Sequence, residues 1–284
     1  MGKGRVLTIA GSDPSGGAGI QADIKTITAL GGYAASALTA LTVQNTVGVT
    51  DVMVCEASFV EAQVRAVIDD IGIDCIKIGM LANASIIMSV ARILRDCDIP
   101  CVLDPVMIST SGHSLLDQSA QDCMIGDLLP LATVLTPNIP EASALTGIQI
   151  TTPDDMLIAG QKLCAMGPDA VIMKGGHLGQ DQLIDFLITK TGQKLGQKLG
   201  QKTGQKTGQK TGQSRIEYQK IDTVHTHGTG CTLASAVATG LAQGMDMHQA
   251  WQRAHRFVQI AIKNAPQFGR GHGPLGHAVA GQNS

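Results

Sequence analysis

Residues 7–26 of this 284-residue chain have the sequence LTIAGSDPSGGAGIQADIKT. The stretch begins as an apolar run, continues as a turn rich in Gly, Ser and Pro, and ends with apolar residues at helical spacing. This order predicts a strand over 6–10, a loop over 11–19 and a helix over 20–30. A glycine-rich loop between a strand and a helix lets the backbone approach a ligand and points N–H groups at it. We therefore expect a ligand-facing loop; a loop that needs glycine only in order to turn is the alternative.

The alternation of strand and helix continues through most of the chain. Further strands are predicted at 37–43, 49–55, 75–78, 101–104, 133–136 and 170–174, and helices at 58–70, 84–96, 119–129 and 152–166. Capping-box patterns open two of these helices, Ser58 with Glu61 and Thr152 with Asp155. Two hairpin strands at 182–189 and 216–222 and helices at 229–243 and 247–265 complete the pattern. Apolar, β-branched strands alternating with helices predict the α/β class, with a mainly parallel sheet covered by helices on both faces.

The composition disfavours several classes of protein. The chain is 44% hydrophobic and 2% aromatic, and 21 basic and 23 acidic residues give a formal charge of −2. This balance provides no general attraction to nucleic acid or membranes, and few aromatic side chains are available to stack on single-stranded nucleic acid. The seven cysteines form no CxxC pair, and no apolar run is long enough for a signal peptide or a membrane span. We therefore expect a cytoplasmic protein with small-molecule partners and without nucleic-acid or membrane partners.

A low-complexity insert separates the two hairpin strands. Residues 192–213 repeat Gly-Gln-Lys-Leu or Gly-Gln-Lys-Thr with a period of four. A glycine at every fourth position disfavours a helix by about 1 kcal/mol each relative to alanine, and the repeat has almost no apolar surface to bury in return. We predict a surface loop, with a lysine-rich arm for small polyanions as the alternative. The repeat is not a P-loop, because that motif has glycine directly before lysine.

Polar residues follow two of the predicted strands. Asn138 leaves a strand end, and Glu141 comes three residues later in the first helical turn. Their oxygens could hold Mg²⁺ through water beside a nucleotide phosphate; an asparagine N-cap with an acid at N3 is the alternative. Lys174 ends a buried strand before two glycines. Ligands of open α/β sheets bind outside the carboxyl ends of strands, so Lys174 either meets phosphate oxygens there or is a surface lysine.

The segment 225–232, HTHGTGCT, directly precedes an alanine-rich helix. Gly-x-Gly at a helix start exposes unpaired N–H groups and the positive end of the helix dipole, which predicts an anion-binding site. In that field the thiol of Cys231 is expected to have a lowered pKa; a small residue packed at a helix entry is the alternative. For the two histidines we expect capping or loop packing, because no third metal ligand is spaced with them. The tail segment 269–276 is expected to be a terminal loop that approaches the site, with no helix after it.

One weak motif points to another class of enzyme. Residues 17–22 fit the GxGxxA pattern of dinucleotide-binding domains. However, the turn is longer than that motif uses, and residues 37–45 contain no acid to bind a ribose. A Rossmann dehydrogenase is therefore disfavoured.

In this order, the segments resemble the hydroxymethylpyrimidine/phosphomethylpyrimidine kinases of thiamine biosynthesis, members of the ribokinase superfamily. The matching pieces are LTIAGSDPSGGAGIQADIKT, LTVQNT, IKIGML, VLDPVM, LTPNIPEA, VIMKGGH and HGTGCTLASA. They span residues 5–275 apart from the repeat. The resemblance implies one ribokinase-like domain over 1–284, a three-layer α/β/α sandwich, ATP and Mg²⁺ as cofactors, and a homodimer. The implied reaction is ATP-dependent phosphorylation of 4-amino-5-hydroxymethyl-2-methylpyrimidine and then of its monophosphate.

The resemblance also implies site residues. The pyrimidine pocket would consist of Gly11, Asp23, Gln44, Met80 and Val106. Asp23 and Gln44 would hydrogen-bond the aminopyrimidine edge, while the two apolar side chains pack on the ring. The nucleotide side would use Asp104, Asn138, Glu141 and Lys174, with Asp104 and Glu141 also serving as the metal ligands. The catalytic group would be Lys174, Cys231 and the anion-binding backbone of Gly228, Thr229, Gly230 and Cys231.

Cys231 stands where the superfamily usually has an aspartate base for the acceptor hydroxyl. Phosphoryl transfer relies mainly on positioning and charge stabilisation, and a monophosphate acceptor is already ionised. We therefore expect Cys231 to matter more for the first phosphorylation than for the second. A pyridoxal kinase of the same superfamily and a non-catalytic pyrimidine sensor are the alternative functions.

Overall fold

A computed structural model describes residues 4–107, 116–176, 182–190 and 212–282. The strands are β1 (Arg5–Ser12), β2 (Tyr33–Gln44), β3 (Val49–Val54), β4 (Cys75–Ile78), β5 (Cys101–Leu103), β6 (Val134–Leu135), β7 (Ala170–Met173), β8 (Gln182–Thr189) and β9 (Gln213–Gln219). The helices are α1 (Gly19–Ala29), α2 (Ala57–Asp70), α3 (Ala84–Asp96), α4 (Gln118–Cys123), α5 (Ile139–Thr146), α6 (Pro153–Ala165), α7 (Thr229–Ala242), α8 (Met247–Lys263) and α9 (His277–Gln282). A π-helical turn (Met124–Leu128) and a 3₁₀ turn (Leu129–Leu131) extend α4.

All nine strands of the described residues belong to one sheet, in the order β3-β2-β1-β4-β5-β6-β7-β8-β9. Pairing is parallel from β2 through β1 and β4 to β7, and antiparallel for β3, β8 and β9. This confirms the predicted mainly parallel sheet with a hairpin after it. The strand order changes direction at β1, since β2 lies on one side of it and β4 on the other. Such a switch point is where ligands of open α/β sheets bind.

Alternating strand residues build a core on each face of the sheet. On one face, Leu7 and Ile9 of β1 pack in a cluster with residues of α2, α3 and α6. On the other face, Val6 of β1 packs with residues of α1, α7 and α8, including the fully buried Trp251 and Phe257. Burial on both faces explains why these strands are almost continuously apolar. None of the described helices combines the length and apolarity that crossing a bilayer requires.

Two predicted helix starts have different outcomes. The capping box of Thr152 and Asp155 is present at the start of α6. The capping box predicted for Ser58 and Glu61 is wrong, because α2 begins one residue earlier, at Ala57. The Glu61 carboxylate instead accepts hydrogen bonds from Arg65 and from Ser89 of α3. Ser58 lies within the first turn of α2, after the N-cap Glu56, so its side chain does not cap the helix.

The hairpin and the tail also differ from expectation. β9 starts at Gln213, which pairs with Ile188, and the carbonyl of Gly212 accepts a hydrogen bond from the N–H of Thr189. The last two residues of the predicted loop 192–213 therefore belong to the hairpin. The rest of that repeat, like His177, lies outside the described residues. The tail 269–276 is followed by the helix α9, contrary to the sequence prediction.

Candidate active site

A cavity of about 660 Å³ opens at the carboxyl ends of the parallel strands. The predicted site residues that line it are Gly11, Gln44, Met80, Asp104, Val106, Asn138, Glu141, Lys174, Gly228, Thr229, Gly230 and Cys231. They come from the ends of β1, β2, β4, β5, β6 and β7 and from the start of α7. The sheet topology thus brings together residues that are far apart in the sequence. Of the predicted set, only Asp23 is not among the lining residues.

A lysine and two carboxylates form the polar wall of this cavity. Lys174 Nζ lies 3.1 Å from Asp104 Oδ1 and 3.9 Å from Glu141 Oε2. The Thr136 hydroxyl also donates to Asp104 Oδ1, at 3.1 Å. Burial by itself would lower the pKa of Lys174, but the carboxylates of Asp104 and Glu141 raise it above its ordinary value. Lys174 therefore stays an ammonium ion at neutral pH, the form that attracts phosphate oxygens.

The segment at the start of α5 forms the N-cap that was the alternative interpretation of Asn138 and Glu141. Asn138 Oδ1 accepts the Glu141 N–H at 2.9 Å, and Glu141 Oε2 accepts the Asn138 N–H at 2.8 Å, which is a capping box. Both residues also line the cavity. Burial raises the pKa of Glu141, as does the charge of Asp104, while Lys174 opposes the rise. The cap fixes the carboxylate at the cavity wall.

The described residues contain no group of three or more His, Cys, Asp or Glu side chains arranged to hold a metal ion. Asp104 and Glu141 nevertheless suit Mg²⁺, which is usually bound by one or two carboxylates together with substrate phosphates and waters. Lys174 Nζ contacts both of these carboxylates, so they already bind a cation at this position.

The start of α7 requires glycine for steric reasons. Gly228 has φ +83°, and a Cβ there would lie 1.8 Å from the carbonyl oxygen of Gly17. A Cβ on Gly230 would lie 3.3 Å from both Asp104 Oδ2 and Lys174 Nζ. No side chain caps this helix. The positive end of α7 therefore directly adjoins the lysine–carboxylate wall, so the helix N–H groups and the Lys174 ammonium can attract the same anion.

The prediction of a lowered pKa for Cys231 is wrong. Burial raises the pKa of its thiol to about 11, and the nearby carboxylates of Asp23 and Asp104 act in the same direction. The charge of Lys77 and a backbone hydrogen bond from Gly19 oppose the rise without cancelling it. The dipole of α7 favours the thiolate, but desolvation of the thiolate is the larger effect here.

Asp23 lies beneath the cavity and does not form part of its wall. Its carboxylate is fully buried and accepts hydrogen bonds from Lys77 Nζ at 2.9 Å, Thr8 Oγ1 at 2.5 Å and Ser235 Oγ at 2.6 Å. The expected hydrogen bond from Asp23 to a pyrimidine does not fit this position. Lys77 is itself 0% exposed. A lysine within an apolar strand was the available signal, since a fully buried ammonium ion needs a charged partner.

Sequence reasoning missed the far end of the cavity. Leu183, Asp185 and Tyr218 of the β8–β9 hairpin and Val258 of α8 line it. Asp185 Oδ1 accepts hydrogen bonds from the Gly175 N–H at 2.8 Å and from the Tyr218 hydroxyl at 3.0 Å. Burial raises the pKa of Asp185 to about 6. Through its hydrogen bond from the Gly175 N–H, Asp185 fixes the backbone that directly follows Lys174.

The tail segment reaches the site, as expected. His272 lines the cavity, and its N–H donates to the carbonyl of Thr46 at 2.9 Å. The connection between β2 and β3 is thus held against the C-terminal part of the chain.

Residues 13–276 match the model of the phosphomethylpyrimidine kinase family. The chain belongs to this family. The hydroxymethylpyrimidine/phosphomethylpyrimidine kinase of Streptomyces coelicolor is 42% identical, over 97% of this chain and 94% of its own length. The one from Escherichia coli K12 is also 42% identical, over 95% of this chain and 96% of its own length. The thiamine biosynthesis bifunctional protein ThiED of Geobacter sulfurreducens is 42% identical as well, but this chain spans only 54% of its length.

Solved structures share the fold of this chain. The crystal structure of phosphomethylpyrimidine kinase from Clostridium difficile 630 superposes with a TM-score of 0.76 at 39% identity, covering 92% of this chain and 100% of that chain. Pyridoxal kinase from Staphylococcus aureus in complex with ADP gives a TM-score of 0.84 at 33% identity, covering 98% of this chain and 95% of that chain. The fold of this phosphomethylpyrimidine kinase family member is therefore the expected ribokinase-like α/β sandwich.

Proposed function

We propose that this family member transfers a phosphoryl group from ATP to the hydroxymethyl group of 4-amino-5-hydroxymethyl-2-methylpyrimidine, and a second one to the resulting monophosphate, in thiamine biosynthesis. The observation that carries this proposal is the order of groups along one cavity. Across the sheet, Gln44 of β2 and Met80 after β4 come first. Lys174 after β7 comes next, with the start of α7 beside it, and the β8–β9 hairpin comes last. The hairpin residues at the far end then suit the rest of the nucleotide.

At the pyrimidine end, a flat ring has an apolar wall and a polar edge. Met80 and Val106 supply apolar surface, while the Gln44 amide offers hydrogen bonds. A Cβ on Gly11 would lie 2.5 Å from Met80 Cε, so glycine leaves room for the methionine side chain. These side chains bind and orient the acceptor so that its hydroxymethyl group faces Lys174.

The transfer step depends on charge stabilisation. The transferring phosphoryl group passes through a loose transition state in which charge is spread over its oxygens. The Lys174 ammonium and the backbone N–H groups of residues 228–231 lie where they would stabilise that charge. Mg²⁺, held by Asp104 and Glu141, would supply further neutralisation of the phosphates.

Cys231 acts in this scheme as a neutral group. Since its thiol is protonated at neutral pH, it is a poor base for the acceptor hydroxyl. Without a base at Cys231, the first phosphorylation no longer depends on this residue more than the second does. We propose that Cys231 supports both steps alike, by packing and through its backbone N–H.

Two further features of the chain belong to this proposal. The edge strand β3 and its neighbour β2 expose Val43, Val52 and Met53, which suits burial against a second copy in a homodimer. Light scattering on the purified protein tests that state, and a monomeric mass would reject it. The seven cysteines are free thiols, which suits a reducing cytoplasm.

The deciding experiment measures ADP release from Mg-ATP with three separate acceptors: hydroxymethylpyrimidine, its monophosphate and pyridoxal. Turnover of both pyrimidines with weak pyridoxal turnover supports the proposal. The likeness to a pyridoxal kinase makes the third acceptor a specific rival, and turnover of pyridoxal alone would replace the pyrimidine assignment. No ADP release with any of the three acceptors would favour a pyrimidine sensor.

A further inference from the structure

His227 lies between the pyrimidine end of the cavity and the start of α7. Its side chain is 8% exposed, and its Nε2 atom lies 2.8 Å from Asp13 Oδ2. The same Nε2 lies 3.3 Å from the terminal amide nitrogen of Gln44. A Cβ on Gly17 would meet the imidazole Cδ2 at 2.4 Å, so the ring is tightly confined. His227 is therefore a fixed group in contact with Gln44.

Asp13 determines which ring nitrogen of His227 carries a hydrogen. Its carboxylate accepts backbone N–H groups from Ser15 at 2.9 Å, Gly17 at 3.2 Å and Ala18 at 2.8 Å. Burial would raise the pKa of Asp13, but these bonds and the one to His227 lower it to about 2. An ionised carboxylate only accepts hydrogen bonds. His227 Nε2 must therefore bear a hydrogen and donate it to Asp13.

This hydrogen is incompatible with an amide N–H₂ group at the same place. With Nε2–H on His227, the Gln44 nitrogen and the imidazole nitrogen would be two donors facing each other. On its other side, the Gln44 oxygen lies 3.2 Å from Thr42 Oγ1, and that hydroxyl already donates to the Ser12 carbonyl at 2.8 Å. A hydroxyl has one hydrogen, so Thr42 Oγ1 can accept from Gln44 but cannot donate to it as well.

Turning the Gln44 amide by half a turn about its last bond removes this conflict. Its nitrogen then donates to Thr42 Oγ1, and its oxygen shares the single Nε2 hydrogen of His227 with the carboxylate of Asp13. The orientation of an amide is determined by its hydrogen-bond network. We propose that His227 and Thr42 lock the Gln44 amide with its oxygen toward His227 and its nitrogen toward Thr42, and that this lock makes His227 a specificity-determining positioning residue. The inference rests on the proposed function, since it concerns the pyrimidine edge that Gln44 would read.

The lock gives the cavity a fixed hydrogen-bonding order. Gln44 presents an acceptor on the His227 side and a donor on the Thr42 side. The edge of a 4-aminopyrimidine carries the complement, an amino donor beside a ring-nitrogen acceptor. A 4-oxopyrimidine carries the reverse, a carbonyl acceptor beside a ring N–H donor. The 4-oxo ligand cannot bind in a flipped orientation to restore the match, because its hydroxymethyl group must face Lys174.

The test compares the binding of two ligands that differ only in this edge. Calorimetry gives the Kd of 4-amino-5-hydroxymethyl-2-methylpyrimidine and of its 4-oxo analogue, without nucleotide, for the wild type and four variants. We expect the wild type to prefer the amino compound by about a hundredfold, because two hydrogen bonds are lost together in the mismatch. His227→Leu and Thr42→Val should each reduce that preference by about tenfold, since one side of the lock is removed.

The matched controls are His227→Gln, whose amide can still donate to Asp13, and Thr42→Ser, which retains the hydroxyl; both should keep the preference. A merely structural role would weaken the binding of both ligands together and leave their ratio unchanged. An unchanged ratio in His227→Leu and Thr42→Val, or no preference in the wild type, overturns the proposal. If His227→Leu does not fold, the Thr42 pair decides. If the ratio responds as expected while the wild type shows no kinase activity, the lock stands and the proposed function fails.

Discussion

The ion pair beneath the cavity offers a sharp test of how this fold is stabilised. Lys77 Nζ and Asp23 Oδ2 are 2.9 Å apart, and both side chains are 0% exposed. Burial would lower the pKa of Lys77, but the charge of Asp23, with that of Asp104 nearby, raises it above the ordinary value. Replacing Lys77 by Met preserves length and apolar packing but leaves the Asp23 carboxylate with only hydroxyl donors, from Thr8 and Ser235.

Removing one partner of a buried pair destabilises a protein by about 3–5 kcal/mol, because the remaining charge is uncompensated. The two hydroxyl donors to Asp23 retain part of its solvation, so we expect the low end, about 3 kcal/mol, for Lys77→Met. Asp23→Asn preserves shape and leaves a buried ammonium ion, with a loss of similar size. The double variant removes both charges, and its loss should be smaller than the sum of the single losses by about 2 kcal/mol or more.

Urea unfolding of the wild type and the three variants measures these free energies, with the m-value as a check that the transition stays two-state. Single losses below about 1 kcal/mol would place the pair in the class of weak surface contacts, contrary to its burial. Strictly additive losses would show that the two charges do not interact. Either result refutes the reasoning.

Three further predictions concern the site and its titrating groups. Lys174→Ala should lower kcat for both phosphorylations by about a hundredfold or more while the pyrimidine Kd stays unchanged; unchanged kinetics with intact ATP binding would remove Lys174 from the mechanism. The rate at which iodoacetamide alkylates Cys231 should be low at pH 7 and rise toward pH 11. Mass spectrometry follows the reaction, with Cys231→Ser as the blank. Rapid labelling from pH 6 upward would instead support the lowered thiol pKa predicted from the sequence. Burial lowers the pKa of His277 to about 4. Between about pH 6.5 and pH 4 the unfolded chain therefore binds a proton at this residue that the folded chain does not bind, and the stability of the fold should decrease as the pH drops through this range. Between pH 6.5 and pH 4, His277→Gln should lose about 3 kcal/mol less stability than the wild type in thermal melts. An equal loss in both proteins would contradict the assignment.

The fold was predictable because its signals are local. Short apolar runs such as Ala170–Met173 identified the parallel strands, and the glycine-rich segments identified the loops after them. A general rule then located the site, since carboxyl ends of parallel strands meet at one edge of a sheet. Gln44 ends β2, Asn138 and Lys174 follow β6 and β7, and all three line one cavity for that reason.

The hydrogen-bond network of the site was not predictable, because its partners are remote in sequence. The ring of His227 contacts Asp13, 214 residues away, and Gln44, 183 residues away. The pattern HTHGTGC showed two histidines at a helix entry but not which partners they would have. Likewise, the dipole acting on Cys231 could be inferred from the sequence, whereas the burial that raises its pKa depends on the surrounding elements.

Asp23 shows how one misplaced side chain could have been recognised. Its position in α1 is compatible with facing either the cavity or the core, and the resemblance to pyrimidine kinases favoured the cavity. The decisive residue is Lys77, the one charged residue of a strand whose other members are Cys and Ile, all four of them fully buried. An ammonium ion in such a strand requires an acid from the elements packed on it. The neighbouring strand β1 and the helix α1 that follows it contain few acids, so Asp23 was a strong candidate for that partner. A buried lysine in a strand thus predicts an acidic partner on a neighbouring helix, and here it indicates that Asp23 forms part of the floor of the site.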